Sequence, residues 1–340
     1  MLFFEDFITG ETRDFESHHV SKLDIIAFAQ RFDAQDFHTD EEAAKLSFAG
    51  GLIGSGWHSC SIMMRLIATG FILEATSRGA PGVEEVRWLR PLRPGDTVTL
   101  RRHILEAKTS RTKPEMGLVK FRFELINQQG HSVMDQTNWI MFTRRGHAHK
   151  HQPANSIAPV LYVPPAQLSP IIPPDAAPDA QLLRPRWFED VDIGNSRQLG
   201  SHQFTQEEII AFARSFDPQI FHTDAKAAQH SAFGGLCASG WHTAAVWMML
   251  TVSARKRLPK PAPGMSLPRL GTSPGVRNIA WKKPVFAGDV LRYSSITTDK
   301  RASGSRPEWG LVFHRNTAMN QHGEEVFSFD GCVFWERKKA

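Results

Sequence analysis

The sequence predicts an α+β protein built from two related domains. Three observations predict it. The chain repeats itself with a period near half its length. Each copy carries one long apolar helical stretch followed only by strand-like runs, the pattern of helix segregated from antiparallel sheet. A proline-rich segment separates the copies.

The repeat is the firmest of these, and repeats are sought first. Ser17 through His58 aligns without a gap on Ser201 through His242. Ile25 to Ala29 recurs as Ile209 to Ala213, Phe37 to Asp40 as Phe221 to Asp224, and Ser55 to His58 as Ser239 to His242. The match resumes at Pro81-Gly82-Val83 and Pro274-Gly275-Val276, and runs through Trp88/Trp281, Gly95-Asp96/Gly288-Asp289 and Glu115/Glu308. Even the start recurs, as Phe4-Glu5-Asp6 and Phe188-Glu189-Asp190. The expected organisation is a first domain over 1–145, a linker over 146–185 with prolines favouring extended chain, and a second domain over 186–340.

Within each copy the elements follow in order. Ser21-x-x-Asp24 and Thr205-x-x-Glu208 have the spacing of capping boxes and open a short helix with Ile25, Phe28, Ala29 and Phe32 on its apolar face. An irregular polar stretch leads to a Gly-rich turn, Ala49 to Gly56 or Phe233 to Gly240. The more apolar helix starts at Gly56 and runs to about Phe71, or from Gly240 to about Val252. Strand-like runs follow at Val83–Leu89, Thr97–Leu105, Leu118–Leu125 and Val133–Phe142. The second copy has a basic, Pro-rich insertion between helix and strands, Ala254 to Ser273, readable as a lid or as an exposed loop without a role.

Composition narrows the function classes. The 340 residues are 41% hydrophobic and 22% charged, an ordinary globular balance. Cys60, Cys237 and Cys332 lack metal-ligand spacing and are too few for a disulfide framework, so a reducing, cytoplasmic setting is expected. The acidic start of the chain does not read as a signal peptide, and Ser61 to Leu73 is too short and carries Arg65, so no membrane span is expected. The net charge of +5 is scattered rather than striped, which argues against nucleic acid. Arg87, Arg90, Lys282 and Lys283 near the strand starts either form a solvated face or attract a small polyanion. His147, His149 and His151 at the head of the linker read as solvated rather than as metal ligands.

Two features could carry chemistry. Asp33-Ala-Gln-Asp-Phe-His38 recurs as Asp217-Pro-Gln-Ile-Phe-His222. A carboxylate and an imidazole at this spacing do not share a helix face, but a loop can aim both into one cleft, where they move protons near neutral pH. The alternative is that Asp33 caps a turn and His38 packs. Ser-Gly-Trp-His at 55–58 and 239–242 opens the apolar helix, where unpaired N–H groups and the dipole suit an oxyanion at Gly56 or Gly240. The alternative there is a tight helix start. His58 and His242 read as packing or capping residues. No GxSxG elbow, P-loop or GxGxxG fingerprint is present, since Gly50-Gly51 and Gly234-Gly235 do not follow a strand.

Together, D-x-Q-x-F-H, a Gly-rich turn and S-G-W-H resemble the hydratase-2 motif of the MaoC-like acyl dehydratases. Gln35 and Gln219 stand for the family's Asn, Asp36 and Ile220 for its Pro, and Phe32 and Phe216 where Gly is frequent. The resemblance implies two hotdog domains, each an antiparallel sheet wrapped around one helix, fused as a pseudo-dimer, with a homodimer or larger assembly open. It implies reversible hydration of a trans-2-enoyl-CoA to the (R)-3-hydroxyacyl thioester, without metal or organic cofactor, coenzyme A entering as part of the substrate. Asp33 with His38 and Asp217 with His222 would then be catalytic, each in its own half, and Gly56 and Gly240 would polarise the thioester carbonyl. A hotdog thioesterase and a non-catalytic acyl-binding protein are the competing readings.

Overall fold

The computed structural model describes residues 1–147, 161–172, 186–257 and 267–338. The first copy runs β1 (Thr12–His19), α1 (Lys22–Phe32), the single turns α2 (Asp36–Thr39) and α3 (Glu41–Lys45), α4 (Gly56–Gly70), then β2 (Gly82–Trp88), β3 (Thr97–Thr109), β4 (Met116–Asn127) and β5 (Ser132–Thr143). The second repeats it: β6 (Ser196–Gln203), α5 (Gln206–Phe216), α6 (Ile220–Thr223), α7 (Ala225–Ala228), α8 (Gly240–Lys256), β7 (Gly275–Trp281), β8 (Val290–Ala302), β9 (Trp309–Met319) and β10 (Glu325–Glu336).

Among the described residues, all ten strands form one sheet in the order β1-β3-β4-β5-β2-β7-β10-β9-β8-β6, antiparallel throughout. The order reads the same from either end once the copies are interchanged. It is a pseudo-dimer joined at β2 and β7, where Gly82 pairs with Ala280 and, reciprocally, Arg87 with Gly275. Both glycines are required at the seam. A Cβ on Gly82 would stand 2.1 Å from the Ile279 carbonyl oxygen, and one on Gly275 2.2 Å from that of Val86.

The helices repeat this symmetry. Phe28 of α1 meets Phe216 of α5 at 5.6 Å between ring centres, and Phe32 meets Phe212 at 5.7 Å. Self-complementary pairing of this kind is what a two-fold interface requires. Each of these buried rings contributes roughly 1.5–3 kcal/mol by leaving water. Tyr162, in the described part of the linker, is buried against Phe32 and Phe216.

The sequence reading needs three corrections. It places no strand before the first helix, whereas β1 and β6 are the two edges of the sheet. β1 is exposed along most of its length, so Thr12–His19 lacks an apolar alternation to read. α8 continues past Val252 to Lys256. Ser21 and Asp24 do form a reciprocal capping box. In the second copy only Thr205 caps, because the Glu208 carboxylate is turned inward to His202 and Arg31.

Candidate active site

Asp33 ends α1, its N–H bonded to the Ala29 carbonyl, and the turn that follows brings His38 back beside it. Both are buried, with His38 Nε2 3.4 Å from Asp33 Oδ2. Gln35 Nε2 donates to Asp33 Oδ1 at 2.8 Å and Ser55 Oγ to Oδ2 at 2.6 Å. Burial works to raise the Asp33 pKa, but His38, Ser55 and Gln35 more than offset it and hold the carboxyl below its ordinary range. His38 Nδ1 lies 2.7 Å from the Ile53 carbonyl oxygen. That oxygen can only accept, so Nδ1 carries a proton, and Nε2 is the ring nitrogen that faces Asp33.

The second copy builds the same constellation. His222 Nε2 lies 3.4 Å from Asp217 Oδ2, Gln219 and Ser239 donate to the carboxylate at 2.9 and 2.6 Å, and His222 Nδ1 meets the Cys237 carbonyl oxygen at 2.6 Å. The Gln that departs from the family pattern thus serves in both halves to orient the carboxylate. Ser55 and Ser239 also cap their helices, accepting from the N–H of Trp57 and Trp241.

Gly56 is the first residue of α4, where a backbone N–H has no carbonyl of its own helix to bond. Its lack of a side chain has a packing cause. The Trp88 indole lies across the helix start and donates to the Gly56 carbonyl at 3.0 Å, and a Cβ would come within 2.6 Å of that ring. Gly240 and Trp281 repeat the arrangement. Gly56→Ala should therefore destabilise by roughly 1–3 kcal/mol, the cost of overpacking, although alanine is the better helix former. A thermal melt checks it; a variant as stable as wild type would show that Trp88 moves freely.

A cavity of about 650 Å³ opens onto the first constellation. Asp33, Gln35, His38, Ser55 and Gly56 line one end, with Arg90 and Arg93 also on the wall. The other end runs into the second half, between α8 and strands β6, β8, β9 and β10, along Arg197, Arg255, Ser295, His314 and Asn316. Asp217 and His222 do not line it. The volume matching theirs would lie in the first half, and there Phe7, Phe71, Phe121, Phe123 and Phe142 pack ring against ring. The two dyads are alike, but their surroundings are not.

The remaining candidates sort by their partners. His58 stacks on Phe28 and His242 on Phe212, and burial lowers each pKa to about 3, so both are neutral packing rings. Arg87 is bound to Asp135, Lys282 to Glu325 and Lys283 to Glu324, whereas Arg90 bonds the Ser132 carbonyl and lines the cavity. The three cysteines are free. Among the described residues no His, Cys, Asp and Glu cluster is placed to hold a metal ion, and no helix is long and apolar enough to cross a membrane. His149, His151 and residues 258–266 of the insertion lie outside the described residues, while Leu270 to Ser273 line the cavity. Sequence reasoning missed Arg197, Arg255, His314 and Asn316; comparing the two copies position by position would have exposed them.

Comparison with known proteins agrees with this architecture. A MaoC like domain matches residues 6–121 and again 190–308. The chain belongs to the MaoC-like family. It is 27% identical over 259 residues to a mesaconyl-CoA hydratase of Cereibacter sphaeroides, covering 72% of this chain and 68% of that protein. A protein of Chloroflexus aurantiacus described as a MaoC domain dehydratase superposes with a TM-score of 0.76 at 16% identity, over 99% of this chain and 98% of that one. A Mycobacterium tuberculosis protein described as a double hotdog fold gives 0.69 at 14% identity, over 98% of each. The fold is accordingly a double hotdog, α+β, with the two domains related as a pseudo-dimer.

Proposed function

We propose that the chain hydrates and dehydrates 2-enoyl/3-hydroxyacyl thioesters of coenzyme A, with Asp33 and His38 as the catalytic pair. The observation that carries this is that one cavity holds Asp33, His38 and the α4 helix start together. With His38 in its neutral form, a water seated beside the pair, against Asp33 Oδ2 and His38 Nε2, donates one hydrogen to each. His38 takes the water's proton as hydroxide bonds to C3, and the ionised Asp33 steadies the imidazolium. The displaced electrons reach the thioester oxygen, where the Gly56 N–H and the positive end of α4 receive them. The proton then passes to C2, which completes addition of one water across the double bond.

This sequence calls on no metal and no organic cofactor. The family resemblance implies the (R) product, the sparse, unpaired cysteines suit a reducing, cytoplasmic setting, and Arg90 and Arg93 on the wall offer charge to the coenzyme A phosphates. Incubation with a panel of enoyl-CoA thioesters, read by mass spectrometry, tests the proposal. A gain of one water with the thioester intact is expected. Release of free coenzyme A would instead identify a thioesterase, and an unchanged panel a binding protein.

A further inference from the structure

The two halves differ most where the fold makes them equivalent. By strand register and helix position, Phe71, Phe121 and Phe123 of the first half correspond to Arg255, His314 and Asn316 of the second, and Arg102 to Ser295. Arg197 stands on β6 opposite Ser295, as Arg13 stands on β1 opposite Arg102. An aromatic core in one half has become a polar wall in the other.

The buried cation at the matching place in the first half, Arg102, is provided for. Arg102 bonds the Glu11 carboxylate at 2.5 Å and lies among four phenylalanine rings. The cations of the second half, Arg197 and Arg255, are half-buried and are not. Neither Arg197 nor Arg255 makes an ion pair among the described residues, and Arg197 Nε has no hydrogen-bond partner. His314 Nε2 and Asn316 Oδ1 are likewise unpartnered, on side chains 93% and 99% buried, and both line the cavity. Guanidinium groups drawn even partly out of water without a counter-charge are costly to hold. Burial depresses the Arg197 pKa to about 10, with Arg255 beside it adding to the effect. The acidic group whose charge Arg255 feels is Asp33, whose oxygens are already held by Gln35 and Ser55.

We propose that Arg197 and Arg255, with His314 and Ser295, form a carboxylate-binding subsite at the far end of the cavity, so that the acyl group taken is short and carries its own carboxylate. This rests on the hydratase reading for the reacting end and adds the specificity. Arg255 also lines a smaller cavity together with Gln35, the residue bonded to Asp33, so the second carboxylate would lie a short acyl chain away from the reacting end. Guanidinium forks suit a planar carboxylate, and a dicarboxylic monothioester would supply the counter-charge the wall lacks.

The test separates binding from chemistry. Glutaryl-CoA and pentanoyl-CoA, which share the coenzyme and its phosphates and differ only in the terminal carboxylate, are titrated calorimetrically into the full chain. Glutaryl-CoA is expected to bind at least ~30-fold tighter, as for a charge-assisted pair in a buried site. In Arg197→Met and Arg255→Met, with folding checked by circular dichroism, the ratio should fall to within a few-fold. Equal binding of the two thioesters to wild type would overturn the subsite without any variant. Hydration of glutaconyl-CoA and trans-2-pentenoyl-CoA is measured in parallel. Tight glutaryl-CoA binding without hydration of glutaconyl-CoA would sink the hydratase reading and leave the subsite standing; hydration of trans-2-pentenoyl-CoA with equal binding would do the reverse.

Discussion

Asp33→Asn should lower the hydration rate by roughly 10²–10⁴, the range for losing a positioned acid/base group, while Asp217→Asn keeps most of it. The sequence alone predicts something else, two working sites that each survive loss of the other, because Asp33/His38 and Asp217/His222 are matched residue for residue. The structure builds both dyads with the same bonds but opens the cavity onto one. Asparagine keeps the shape and the bonds from Gln35 and Ser55 partly intact, yet it cannot hold the water as an anion or balance the His38 imidazolium. Single-turnover rates of the two variants on the best thioester of the panel decide the matter. Comparable losses in both would restore two sites, and would require the phenylalanine cluster of the first half to open.

Much of this site was legible before any coordinates. The D-x-Q-x-F-H spacing recurs, and its physical content, a carboxylate at a helix end with an imidazole on the next turn, is local. The S-G-W-H start is legible for the same reason: a serine N-cap followed by glycine is a short-range signal. What was not legible depends on tertiary neighbours. Gly56 is glycine because Trp88, thirty-two residues on, lies across the helix start. β1 and β6 are edge strands; β1 is mostly in water and β6 mixes polar and buried positions out of step, so neither shows an apolar alternation. The asymmetry between the halves needs the strand register, since only register shows that His314 and Asn316 occupy the places of Phe121 and Phe123. Glu208 satisfied a capping pattern by spacing, but its carboxylate had a stronger use between the halves.

Duplication explains how such asymmetry is tolerated. In a pair of identical hotdog domains, any change that widens one interior widens both. Fusion into one chain removes that constraint. One half can keep a packed aromatic core, with Phe7, Phe71, Phe121 and Phe123 holding the sheet around α4, while the other trades the same positions for a polar cavity. The packed half still contributes Asp33, His38 and the α4 start, and the open half contributes the wall. Neither half contains a complete site by this account, which is why the α1–α5 contact matters to chemistry as well as to stability.

Removing the carboxylate at that contact should be the costliest stability change tested. Glu208→Ala is expected to destabilise by roughly 3–5 kcal/mol, the penalty for stranding a buried charge. Glu208 is 2% exposed and accepts from Arg31 at 2.5 Å, His202 at 3.1 Å and the Ser169 N–H at 3.2 Å. It thus ties α1, α5, β6 and the linker together, and Arg31 sits two residues before Asp33. Burial opposes its charge, but His202 and Arg31 outweigh burial and bring its pKa from the ordinary 4.5 down to about 2. A folded-state pKa below the unfolded value means that the stabilisation is fully present above about 4.5 and is lost as pH falls from there through about 2. Urea midpoints of wild type and Glu208→Gln should therefore lie far apart at pH 7 and converge as the solution is acidified through that window. Glutamine preserves the shape and removes the charge, so a gap that stays constant with pH would assign the loss to packing and refute the ionic account. The same variant should lower the hydration rate even where it remains folded, because α1 ends at Asp33 and Arg31 would no longer be held against the second half.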